Sequence, residues 1–273
     1  MTTENFKQLQ NELKSIIQKL NTFNKVNLNK AESFTEIERI IKSLPSSETS
    51  GRAIGEWQKK ARIEVDKAKQ ARKNKFRGIL AGFIKGQQAK RVPTREFGQS
   101  WRVGPLAVQL RSEFAQIQIA YNNEVVIKWS SLSQTDDILK IYEAALKKLE
   151  ETTLPLNKQV EVFWSAYDYL RWQQTRNNVS HPELVPLKNF YLETKVALTR
   201  FNLHKKVTLQ KEYPLWAFLY NLDIYHSKIA ETPPKNRLGL QTGSQDQSRK
   251  MGIVTNGLNP LQDYRTYCYI HAG

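Results

Sequence analysis

Arg176, Asn177 and His181 fall within one short stretch, RNNVSHP, at residues 176–182. Their side chains could together perform metal-free chemistry on a phosphodiester. An imidazole can move the proton of a ribose 2′-hydroxyl, and a guanidinium can hold the charge that gathers on a phosphate. The same letters also spell a turn, because Asn, Ser and Pro favour turns.

The order R-N-x-x-x-H resembles the signature of the HEPN ribonucleases, a helical family that cleaves RNA without a metal. The resemblance implies that Arg176 and His181 act at the scissile phosphate and that two copies meet at a dimer interface. It covers only Arg176, Asn177 and His181 with their helical surroundings. The family motif lies at a helix start. Here Pro182 and Pro186 bracket the segment, so a helix beginning at His181 meets a proline within two turns and breaks. The residues themselves therefore read as a polar connection between two helices, with His181 exposed. A metal-independent endoribonuclease built on Arg176, Asn177 and His181 is the alternative.

Other catalytic signatures are absent. The sequence has no GxxxxGK[ST], HExxH, GxSxG or GxGxxG. Its four histidines, at 181, 204, 226 and 271, have no metal-ligand spacing. The single cysteine, Cys268, excludes an internal disulfide and a CxxC knuckle, and reads as a small strand hydrophobe. Asp136 and Asp137 read as helix-start residues. Neither a metal nor a cofactor is expected.

Charge points to a partner. The chain holds 42 Lys and Arg against 26 Asp and Glu, a net +16. Residues 51–100 carry 14 basic and 4 acidic side chains, and residues 201–250 carry 8 and 4. Between 67 and 95 stand Lys67, Lys69, Arg72, Lys73, Lys75, Arg77, Lys85, Lys90, Arg91 and Arg95, with no acid among them. A solvated helix ordinarily mixes signs to gain i,i+4 pairs. An unmixed one suits a polyanion, whose condensed counterions it releases. Nucleic acid is the expected partner.

The elements that must position these cations are mostly helical. Phe6, Leu9, Leu13, Ile16, Leu20 and Phe23 follow the alternating 3,4 spacing of a coiled-coil seam, and Phe34, Ile37, Ile41 and Leu44 continue it. Ser33 and Glu36 spell a capping box. A third helix begins near Ile54 and Trp57 and runs to about residue 88, with Ala61, Ala68 and Ala71 as a narrow packing stripe. Phe76, Ile79, Leu80, Phe83 and Ile84 form an amphipathic face at its end, among Gly78, Gly82 and Gly86, which allow close backbone approach. Alternating residues then predict two or three antiparallel strands over about 103–129, with a tight turn at Asn122-Asn123. Helices are expected from 135 to about 150, over 157–174, 187–201 and 213–229. Short strands follow in LGLQT, GIVT and YRTYCYI.

Three helices followed by short strands is the order of a winged helix. Lys205, Lys206, Lys211, Lys235, Arg237, Arg249 and Lys250 surround the last helix and the strand region, where they could touch phosphates. That helix, within YPLWAFLYNLDIYHSK, is apolar and aromatic, and reads as core or partner interface.

The expectation is a mostly α (α+β) fold. Residues 1–92 form a helical coiled-coil-like bundle with a long basic third helix. Residues 93–134 form antiparallel strands, 135–231 a helical module, and 232–273 a loop-rich tail. The function read from the sequence is non-catalytic nucleic-acid binding in a larger cytoplasmic complex of the DNA-processing or antiviral-defence type. Protein partners would meet the coiled-coil and aromatic helices. The phosphate contacts are assigned to the ten cations of 67–95 together with Lys205, Lys206, Arg237, Arg249 and Lys250. A protein-interaction scaffold is the third reading. The longest apolar run, ILAGFI at 79–84, is too short to span a bilayer.

Overall fold

The computed structural model describes residues 3–25, 33–43, 52–98, 100–133, 136–201, 213–255 and 257–272. It is a mostly helical α+β protein. The chain divides into two compact units, Met1–Leu80 with Arg111–Gln116, and Ala81–Leu110 with Ile117–Gly273.

The first unit holds α1 (Thr3–Lys25), α2 (Ser33–Ser43) and most of α3 (Arg52–Ala89). Ile37 and Ile41 of α2 lie one turn apart, as do Ala61 and Val65 of α3. These four form a buried cluster, with Phe23 and Ala68 packed against it. Ile16 is also buried, and Leu20 and Phe23 are partly covered, so this part of the expected seam faces inward. Lys19 Nζ donates to the Ser43 carbonyl at 2.7 Å, satisfying one of the orphan carbonyls at the end of α2. The side chains of Phe6, Leu9, Leu13, Phe34, Ile54 and Trp57, and of the Ser33–Glu36 capping box, lie outside the described residues, as does Leu44. One expectation needs correcting. The packing stripe on α3 is Ala61, Val65, Ala68 and Phe76, and Ala71 is exposed. Ala71 lies ten residues beyond Ala61, nearly three full turns, but on the far edge of the packed face from Val65 and Phe76.

In the second unit, β1 (Thr94–Phe97), β2 (Ser100–Val103), β3 (Leu106–Arg111), β4 (Gln116–Tyr121) and β5 (Glu124–Ser131) form one antiparallel sheet in that order. This is larger than the two or three strands expected. TREF and SWRV are too short for alternation to reveal them, but they pair in register, Thr94 with Val103 and Phe97 with Ser100. Asn122 and Asn123 have φ of 46° and 68°, the doubly left-handed turn that links β4 to β5. Phe83 and Ile84, at the end of α3, are buried, and the Phe83 ring meets Tyr142 edge-on at 5.3 Å. The expected amphipathic face is therefore divided between the units, with Phe76 buried in the first and Phe83 and Ile84 in the second. Gly78, Gly82 and Gly86 do not serve close approach, because a Cβ at any of them would meet nothing within 4 Å.

The sheet is followed by α4 (Asp136–Glu151), α5 (Leu156–Arg176), α6 (Leu187–Arg200) and α7 (Leu215–Ser227). Asp137 accepts from the Ser133 amide and hydroxyl at 2.7 and 2.8 Å, which makes it a helix-start residue. Pro155, Pro186 and Pro214 precede α5, α6 and α7. A fixed φ and a missing N–H cost nothing where a helix begins, so Pro186 starts α6. Phe163 is the hub of the core, with ring centroids of Phe190, Phe218 and Tyr225 at 5.6, 6.1 and 5.5 Å. Trp216, Ala217, Phe218, Leu219, Asn221, Leu222, Asp223 and Tyr225 are buried, so α7 is a core helix.

Two polar side chains of α7 fix the packing. Asn221 donates to the Thr152 and Ala217 carbonyls and accepts from the Leu154 amide at 2.8 Å and from Gln159 Nε2 at 3.1 Å. It thereby holds the corner between α4 and α5. One carboxylate oxygen of Asp223 accepts from Tyr121 Oη, Asn122 Nδ2 and the Gly257 amide at 2.6, 2.8 and 3.0 Å. Burial, and then the Asp223 charge, push the Tyr121 hydroxyl well above its ordinary value.

The chain ends in β7 (Leu238–Gln241), α8 (Gln245–Met251), β8 (Ile253–Thr255), β9 (Arg265–Tyr267) and β10 (Tyr269–Ala272). Strand β10 lies between β7 and the two-residue β6 (Val185–Pro186), while β8 pairs with β9. Among the described residues, no helix is long and apolar enough to cross a membrane.

Candidate nucleic-acid interface

The cations of α3 differ in what their own fold does with them. Lys67, Lys75, Arg77 and Lys85 are exposed along the helix, and Lys90 and Arg91 are exposed just beyond it. Lys73 is half-buried. Arg72 and Lys75 flank the buried Phe76 ring, at 5.5 and 5.8 Å from its centroid. Lys69 forms an ion pair with Glu38 of α2. That hydrogen bond holds the Glu38 carboxyl below the usual carboxylate range. Arg95 meets Asp263 at 2.9 Å and also donates to the Leu261 carbonyl. The fold thus answers Lys69 and Arg95 with its own carboxylates.

Arg237 is committed to structure. Its guanidinium donates to the Thr232 and Ala230 carbonyls at 2.9 and 3.0 Å. Arg249 and Lys250 are exposed in the last turn of α8. Lys205, Lys206 and Lys211 lie outside the described residues. Arg102, unremarkable in the sequence, is buried on β2. It donates to the carbonyls of Gln262 and Asn259, and its guanidinium lies 4.1 Å from the centre of the Tyr264 ring. A lone arginine in a strand gives no hint of this clamp, because its partners lie about 160 positions away.

Arg176, Asn177 and His181 occupy the exit from α5. The Asn178 amide donates to the Thr175 carbonyl and the Val179 amide to the Gln174 carbonyl, with Asn178 left-handed at φ 53°. These are the paired bonds of a Schellman C-cap, and asparagine is a common substitute for glycine at its left-handed position. Asn177 and Asn178 therefore close a helix. The Arg176 guanidinium lies 5.1 Å from the Trp172 ring centre, while His181 Nδ1 sits 3.2 Å from Glu183 Oε1. This setting is a helix end, whereas the family motif lies at a helix start.

His181 also lines a cleft of about 560 Å³. Pro186, Tyr269 and Gln241 also line it. They stand directly opposite one another across β6, β10 and β7, and so share one face of that sheet. Gln174, Gln247 and Met251 contribute to the walls. Gln247 is fixed in a capping box with Ser244. A Cβ at Gly243 would stand 2.7 Å from Cys268 Sγ and 2.9 Å from Gln247 Cβ, so a side chain there would displace both residues. Of these residues only His181 stands out in the sequence. The others come from elements that meet only in the fold.

No family model, curated protein or solved structure matches this chain.

Proposed function

We propose that this chain is a non-catalytic nucleic-acid-binding subunit of a larger cytoplasmic complex, gripping the phosphate backbone through α3. The observation that carries the reading is the exposure of Lys67, Lys75, Arg77 and Lys85 on a helix with no acid between residues 67 and 95. Cations held this way release counterions when they meet phosphates, and they read no base. Leu192 and Val196 lie one turn apart on α6, and both are exposed, at 55% and 47%. They offer a partner subunit an apolar contact.

The test is fluorescence anisotropy with labelled DNA and RNA, single- and double-stranded, across a salt series. The expected result is affinity that falls steeply with salt, and a shallower slope once Lys67, Lys75 and Arg77 become Gln. Each phosphate left without its cation flattens log K against log [salt] by about 0.7 to 0.9. Three such phosphates make the variant's deficit about 20- to 40-fold larger at 50 mM than at 200 mM salt. An unchanged slope would remove α3 from the interface. Incubating RNA with the protein in EDTA separates binding from ribonuclease chemistry: cleavage abolished by His181→Ala would overturn the non-catalytic reading.

A further inference from the structure

We infer that the cleft over β6, β10 and β7 takes one unstacked nucleobase, so that the protein holds single-stranded nucleic acid by a base as well as by phosphates. The choice of nucleic acid rests on the function proposed above. The character of the lining selects the base.

In a chain of net +16, the described residues lining this cleft include no lysine, arginine, aspartate or glutamate. A bare anion would find no countercharge there. An apolar ligand would strand the amides and hydroxyls. A planar heterocycle with an amide-like edge meets both demands. Tyr269 supplies an aromatic surface, of the kind on which unpaired bases stack. Gln241 lies beside it on the same face and presents an amide, which can pair with a base edge through two hydrogen bonds. Gln174 donates to the Pro182 carbonyl only at a long 3.4 Å and keeps its amide oxygen as an acceptor. His181 and Ser180 stand at the open rim. The volume, about 560 Å³, is in the range that holds a nucleotide-sized ligand. Helix α8, which contributes Gln247 and Met251 to the cleft, carries exposed Lys250 in its last turn, on the flank nearer the cleft, where it can meet a phosphate attached to the bound base.

The experiment titrates the full chain with the four ribonucleosides and their 5′-monophosphates, followed by NMR and calorimetry. High salt silences the polyelectrolyte contribution. At least one nucleoside is expected to bind, and its monophosphate more tightly. Gln241→Ala, at an exposed position, should weaken binding about tenfold, the size of one paired amide contact. Tyr269→Leu should weaken it similarly, while Tyr269→Phe retains it. The Lys67, Lys75 and Arg77 variant should bind nucleosides as the wild type does. Failure of every nucleoside at millimolar concentration overturns the inference. So does wild-type binding by a folded Gln241→Ala protein. Salt-sensitive polymer binding without nucleoside binding sinks the cleft alone. Nucleoside binding without polymer binding sinks the backbone grip alone.

Discussion

His226 should make the protein acid-labile in a defined window. It lies in the last turn of α7, and its Nε2 has no hydrogen-bond partner among the described residues. Burial lowers its pKa from 6.5 to about 4. The end of the helix dipole favours the imidazolium, but that is worth about 0.3–1 kcal/mol, less than a tenfold change in proton affinity, so burial wins. The native state therefore refuses a proton that the unfolded chain accepts below pH 6.5. Stability is complete above that value and is lost as pH falls towards 4, where the native imidazole also titrates. At about 1.4 kcal/mol per pH unit, the decline reaches about 3 kcal/mol. Urea unfolding of wild type and His226→Phe between pH 7 and 4 measures it, with His226→Gln as a second variant should the larger ring strain the site. Glu124, whose pKa burial raises, works in the opposite direction but is common to all three proteins and drops out of the difference. Parallel pH profiles for wild type and both variants would refute the argument.

Three further outcomes are expected. Asn221→Ala strands the Leu154 amide and the Thr152 carbonyl in the core, costing about 2–4 kcal/mol in urea unfolding. Gly82→Ala stabilises the protein by about 0.5–1 kcal/mol, because the added methyl meets nothing and the helix gains propensity; a fall in melting temperature would show that the site is not open. Glu38→Gln changes stability by less than about 1 kcal/mol, because the pair is partly exposed.

The helices are legible because their signal is local. Ile37 with Ile41 and Phe83 with Ile84 advertise a buried face within two turns of their own chain. Strands β1 and β2 are not, because four residues apiece carry too little pattern and their identity lies in the partner strand. The sheet of β6, β10 and β7 is less legible still. Val185 pairs with Ile270, a contact that no window of sequence contains. The same divide runs through the candidate sites. Lysine and arginine show their charge in any context, so the basic helix can be read directly. Whether a given cation is spent internally cannot be read that way: Glu38 lies 31 positions from Lys69, and Asp263 is farther still from Arg95. The cleft hides for the same reason, since Gln174, Gln241 and Tyr269 become neighbours only through long-range pairing.

Composition alone does not explain the unmixed charge of α3, because other helices of the same chain behave differently. Lys147 meets Glu151 on α4, and Lys158 meets Glu161 on α5. Those helices follow the ordinary rule that exposed cations recruit acids from the turns beside them. Between residues 67 and 89, α3 has no acid to recruit, and it adds three glycines with open space around them that lower its own helix propensity. A helix selected only for stability or solubility would not combine these features, since glutamates at the glycine positions would serve both ends. A helix that must leave its cations open to an external polyanion has reason to exclude acids.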